Sequence, residues 1–99
     1  MQINNLEEVF DDPQLLDGKT PEEIETRARN DPRWQISAMG KGSHQGQGLI
    51  IRELTADGNN FTDRIIQWHP GGGRHGSQPY WKVSSGKGGT VRIGPQFKP

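Results

Sequence analysis

At 99 residues, with 28% hydrophobic residues and 14 glycines, the chain is one small unit (1–99) with a thin core, near the lower end of what folds without staples. The absence of cysteine excludes disulfides and thiolate metal sites and fits a reducing workplace, and no run approaches the roughly 20 apolar residues of a membrane helix. Formal net charge is zero, but residues 1–31 carry nine acids against three bases and residues 32–99 carry three acids against nine bases.

Two short helices are expected to open the chain. Asn5 is placed to cap LEEVF, with Glu8 completing an N-x-x-E arrangement. Pro13 forces a break or a new first turn, and Gly18 marks a stop. The stretch TPEEIETRARN carries a stronger signal. Thr20 suits the N-cap, Pro21 the first helical position and Glu23 the capping box. Ile24 and Ala28 then share a face at i, i+4, and Asn30-Asp31-Pro32 ends the helix.

From Trp34 the period becomes alternating. WQISAM, GLIIRELT, FTDRIIQWH, PYWKVSS and TVRIG read as strands bounded by turn residues. Ala56-Asp57-Gly58-Asn59-Asn60 is a hairpin loop, so residues 48–55 and 61–69 are expected to pair antiparallel. Ser85-Gly86-Lys87-Gly88-Gly89 forms a second hairpin between the last two strands. The predicted class is α+β: short N-terminal helices, in an acidic part spanning 1–32, packed on a twisted antiparallel sheet of four to five strands in a basic part spanning 33–99. Two irregular segments remain, GKGSHQGQG (40–48) and PGGGRHGSQP (70–79).

The start, MQINNLEEVFDD, has no basic segment followed by an apolar one, so no signal peptide is visible. The protein is then expected to be cytosolic or to be part of a longer, separately exported chain. The basic part, with three added histidines, is the electrostatic footprint of a phosphate-binding surface; the plainer alternative is acidic helices neutralising the protein's own sheet.

Neither glycine-rich segment meets the G-x-x-x-x-G-K-[ST] pattern of a P-loop, and no long helix follows either one, which argues against ATP chemistry. His44, His69 and His75 could form a three-histidine zinc site, but the helical H-x-x-x-H spacing is missing and most acids lie in the other half. No metal and no cofactor are therefore expected.

Metal-free RNA cleavage fits better. The 2′-hydroxyl attacks the adjacent phosphodiester, a base removes its proton, an acid protonates the departing 5′-oxygen, and cations stabilise the phosphorane. Imidazole suits the proton transfers, arginine and lysine suit the phosphorane, and aromatic rings stack on unpaired bases. The stretch WHPGGGRHGSQPYWK (68–82) holds all of these parts, and the loop at 40–48 adds Lys41 and His44. At least one of Trp68 and Trp81 is expected in the core. Burial of Trp81 and Val83 would turn Tyr80 and Lys82 outward, to bind or merely to be wet. Arg52, Arg64 and Arg92 alternate with apolar neighbours and are expected on the exposed sheet face.

The segments TPEEI, GKGS (40–43), GQG followed by I-R-E (46–53), WHPGGGRHG (68–76) and PYWKV (79–83) also resemble, over nearly the whole chain from about Asn5, the C-terminal toxin domains of bacterial polymorphic and contact-dependent growth inhibition systems. Those domains are ribonucleases, many of them acting on tRNA, with a barnase/EndoU/colicin/RelE-like fold. The resemblance implies helices on a small antiparallel sheet with RNA bound across the sheet and its loops. It also implies a larger secreted effector as parent chain, action in the target-cell cytoplasm, and a cognate immunity protein. Catalytic groups vary between members, so no fixed set carries over; His44 stands where lysine or another residue is often expected.

The combined expectation is a metal-independent ribonuclease toxin domain cutting tRNA or other structured RNA, with no membrane partner. His69 and His75 are the expected proton-transfer pair, with Arg74 and Lys82 stabilising the phosphorane. Lys41, Arg52, Tyr80, Lys87, Thr90 and Arg92 are expected to bind RNA or to supply a supporting hydrogen bond, and His44 joins the residues expected to contact RNA. A metal-dependent or DNA-directed nuclease, a non-catalytic nucleic-acid-binding module, and an interaction domain working through its acidic helices are the alternatives.

Overall fold

In a computed structural model of the chain, which describes residues 5–38, 48–71, 78–86 and 88–97, a helical layer covers one face of a five-stranded antiparallel sheet. The expected α+β class holds. Helix α1 (Glu7–Asp11) is little more than one turn. Leu6 occupies its N-cap position, and Asn5 contributes its side-chain oxygen, which accepts the Glu8 N–H at 3.3 Å. So short a helix has little stability of its own. Burial of Leu6 and Val9, each 1% exposed or less, anchors it. Pro13 starts a 3₁₀ turn (Pro13–Leu16) that drives Leu16 into the core, and Gly18, at φ +79°, adopts the left-handed backbone that lets the chain reverse.

Helix α2 (Pro21–Arg29) forms as its sequence dictates. The Thr20 hydroxyl accepts the Glu23 N–H at 3.2 Å, and Pro21 takes the first position. Glu22 and Glu23 in the first turn and Arg27 and Arg29 in the last complement the helix dipole. Ile24 and Ala28 are buried, while Glu25 and Arg29 pair at 2.7 Å on the outer side.

The strands are β1 (Trp34–Ala38), β2 (Leu49–Leu54), β3 (Phe61–His69), β4 (Tyr80–Ser85) and β5 (Gly89–Ile93), in spatial order β1-β2-β3-β4-β5. Every strand pairs with its neighbour in sequence, and both expected hairpins are present. Alternation sends Trp34, Ile51, Ile66, Trp81, Val83 and Ile93 to the helix side, where they join Leu6, Val9, Leu16, Ile24 and Ala28 in one cluster. Complete burial of an aliphatic side chain contributes about 1.5–3 kcal/mol, so this cluster is the main source of stability. Trp68 and Trp81 both serve it. Trp81 is 2% exposed and donates its Nε1–H to the Lys19 carbonyl at 3.1 Å, tying β4 to the segment before α2. Trp68 packs beside it, with ring centres 4.8 Å apart.

One expectation fails. Arg64 is not on the exposed sheet face. It has the parity of Ile66 and Trp68, and its Nη1 lies 3.5 Å from Glu53 and 3.6 Å from Glu7. Its guanidinium also sits 5.1 Å from the Phe10 ring centre. A bulge, with Arg52 opposite Ile65 but Leu54 opposite Phe61, distorts β2–β3 there. The cation is tolerated on the helix side because two carboxylates meet it at the margin of the core.

Candidate nucleic-acid interface

The face turned away from the helices carries a different chemistry. On β2 it presents Ile50 and Arg52, on β3 Ile65, Gln67 and His69, on β4 Tyr80, Lys82 and Ser84, and on β5 Thr90 and Arg92. The register sets them in rows. Gln67, Lys82 and Arg92 are successive cross-strand partners, Arg52, Ile65, Ser84 and Thr90 form the next row, and His69 lies opposite Tyr80. Six of the residues singled out from sequence (His69, Lys82, Arg52, Tyr80, Thr90 and Arg92) thus share one side of the sheet. Lys41, His44, Arg74, His75 and Lys87 lie outside the described residues.

Lys82 and Arg92 are direct cross-strand partners. Like charges placed opposite one another destabilise a sheet, yet among the described residues no acid pairs with either one. The Nε of Arg92 is shielded from water and, among the described residues, has no hydrogen-bond partner. The acid that shares this parity on β3, Asp63, sits at the far end of the face, where its carboxylate occupies the space beside Gly86. A side chain at position 86 would collide with it. Arg52 is exposed, with its guanidinium 5.2 Å from the Phe61 ring centre. The Ser84 and Thr90 hydroxyls lie 3.2 Å apart.

At the other end, the His69 imidazole is held on two sides. Its plane stacks on Tyr80, with centres 4.8 Å apart and planes 4° from parallel. Its Nε2 lies 2.9 Å from Gln67 Oε1. Tyr80 is in turn met by the edge of Phe97 at 5.2 Å, from the 3₁₀ turn Pro95–Phe97. This revises the expected role of Tyr80. The residue faces away from the helices as anticipated, but it is only 8% exposed, with its ring flanked by His69 and Phe97. It supports the imidazole rather than offering a platform to a base.

Gln67 and Phe97 were not singled out from sequence. For Gln67 the signal was present: in a strand it shares the parity of His69, two residues on. Nothing in the pattern of GPQF placed Phe97 against Tyr80.

An imidazole braced beside two cations that no acid neutralises among the described residues can take or give a proton at a hydroxyl of a ligand whose phosphate those cations hold. A solvent-open cleft of about 360 Å³ lies on the helix side, between the Leu16–Lys19 segment and Trp68, Pro79, Gly94 and Pro95; His69 and Lys82 do not line it. Compared with protein-family models, curated proteins and solved structures, the chain matches none.

Proposed function

We propose that the chain is a metal-independent ribonuclease toxin domain that cleaves tRNA or other structured RNA. The observation that carries this reading is the Lys82–Arg92 pair. Two cations set opposite one another, with no acid paired to either among the described residues, cost stability in the free protein, and a bound phosphate offsets that cost. The braced imidazole of His69 on the same face supplies proton chemistry beside it.

In this reaction the base takes the 2′-hydroxyl proton, the 2′-oxygen attacks phosphorus, and the 5′-oxygen leaves with a proton from the acid. The products are a 2′,3′-cyclic phosphate and a 5′-hydroxyl end. His69 and His75 are the proposed proton-transfer pair, and Lys82 and Arg74 stabilise the phosphorane. The resemblance to polymorphic toxin domains supports a barnase/EndoU/colicin/RelE-like relationship. It also supports delivery as the tail of a larger secreted effector into the cytoplasm of a competing bacterium, and neutralisation by a cognate immunity protein.

The test is incubation of total bacterial RNA with the purified domain, with and without excess EDTA, followed by mapping of new ends. Cyclic-phosphate ends formed equally under both conditions are expected, with single-stranded DNA left uncut. Loss of cleavage in EDTA, or cutting of DNA, overturns the proposal in favour of a metal-dependent or DNA-directed nuclease. The cationic row alone also suits a second reading, a non-catalytic nucleic-acid-binding module, for which salt-sensitive RNA binding without scission is the signature.

A further inference from the structure

We infer that Gln67 is a positioning residue for His69, whose side-chain carbonyl holds the imidazole in the form protonated on Nε2, so that Nδ1 is the basic nitrogen of the neutral ring. The consequence for catalysis rests on the ribonuclease reading above; the tautomer itself does not.

An amide oxygen can only accept, so at 2.9 Å from Oε1 the Nε2 of His69 must be the donor. Two torsions place an imidazole, and each has its own restraint. Stacking on Tyr80, 4° from parallel, fixes the ring plane. That contact is indifferent to a half-turn of the ring about Cβ–Cγ, which would put Cε1 in the place of Nε2 and Cδ2 in the place of Nδ1. The bond to Gln67 removes this ambiguity. Gln67 is itself well anchored: it is half-buried near the end of β3 and paired on both sides, with Ile50 on β2 and Lys82 on β4. A neutral imidazole with the wrong tautomer presents a donor where the reaction needs an acceptor, and that is the error Gln67 prevents.

The assignment is tested on the whole chain by ¹⁵N-histidine labelling and long-range ¹H–¹⁵N correlation at alkaline pH. His44→Gln and His75→Gln identify the His69 signals. The Nε2-protonated pattern is expected for His69 in the native protein. It is expected to persist in Gln67→Glu, whose carboxylate also accepts, and to become a mixture in Gln67→Leu. An Nδ1-protonated pattern in the native protein overturns the inference, and so does an unchanged pattern in a folded Gln67→Leu. Should Gln67→Leu fail to fold, the native spectrum alone decides. In RNA cleavage, Gln67→Leu is expected to lower kcat roughly 10–100-fold with little change in KM, as for a misplaced reacting group, and Gln67→Glu to recover part of the loss. A protein that holds His69 in the Nε2-protonated form but cuts no RNA overturns the ribonuclease reading and leaves the positioning role intact.

Discussion

On the proposed reading, salt dependence of RNA binding is expected to distinguish the two faces of the sheet. Each phosphate neutralised on a single strand steepens the fall of log K with log[salt] by about 0.7. Arg52, Lys82 and Arg92 together then give a slope of about −2, and raising salt from 50 to 200 mM weakens binding about 20-fold through these three groups. Replacing Arg92 or Lys82 with methionine removes one contact and cuts that factor to about 7. Arg64→Met is the internal control, because Arg64 lies behind the sheet between Glu7 and Glu53 and is expected to leave the slope unchanged. Cations elsewhere in the chain add equally to all variants, so the differences carry the information. Fluorescence anisotropy with a 2′-O-methyl oligonucleotide, which cannot be cleaved, measures the slopes, and circular dichroism checks folding. A slope flattened as much by Arg64→Met as by Arg92→Met would refute placement of RNA on this face. So would a slope untouched by Lys82→Met.

The remaining predictions concern stability. Removing one of the opposed cations relieves repulsion, so Lys82→Met is expected to stabilise the free protein by about 0.2–1 kcal/mol, a rise in Tm of about 1–8 °C for a domain of this size, while weakening RNA binding; a fall in Tm contradicts the repulsion. Ile66→Ala, at a fully buried position in the sheet centre, should cost about 2–5 kcal/mol in urea denaturation, whereas Ile65→Ala on the opposite face should cost less than about 1.5 kcal/mol. Comparable losses would mean the two faces are equally packed. The hydrogen bonds from Arg33 hold the Asp31 carboxyl below the usual aspartate range. Its stabilising effect is therefore complete above the unfolded value near pH 3.9 and is lost as pH falls through the lower folded value. Asp31→Asn should thus be less stable than the native chain by about 0.5 kcal/mol or less at neutral pH, because the pair is partly exposed, and the gap should close in strong acid.

Local chemistry made much of this architecture legible. Thr20, Pro21 and Glu23 specify the start of α2 through bonds within one turn, and the spacing of Ile24 and Ala28 gives its inner face. The strands were readable because alternation from Trp34 onward matches a sheet with one covered face. What escaped depends on contacts distant in sequence. Arg64 has a neighbourhood like that of Arg52 and Arg92 in the string, but its surroundings are set by Glu7, from a helix more than fifty residues earlier. Tyr80 has outward parity, yet Phe97 closes over it from beyond the last strand. Strand parity puts Gln67 on the same face as His69, but the role of a neutral amide comes only from the imidazole it touches.

The meander has a kinetic consequence. With each strand bonded to its predecessor, no strand pairing must wait for a distant segment to arrive, so loop-closure entropy stays small while the sheet forms, and the long-range closure falls to docking of the N-terminal helices. Refolding from urea should be rapid for so β-rich a chain, with hairpins added one after another from either margin. The amides of β1 and β5 should then exchange with solvent sooner than those of β3, which is locked between two partners.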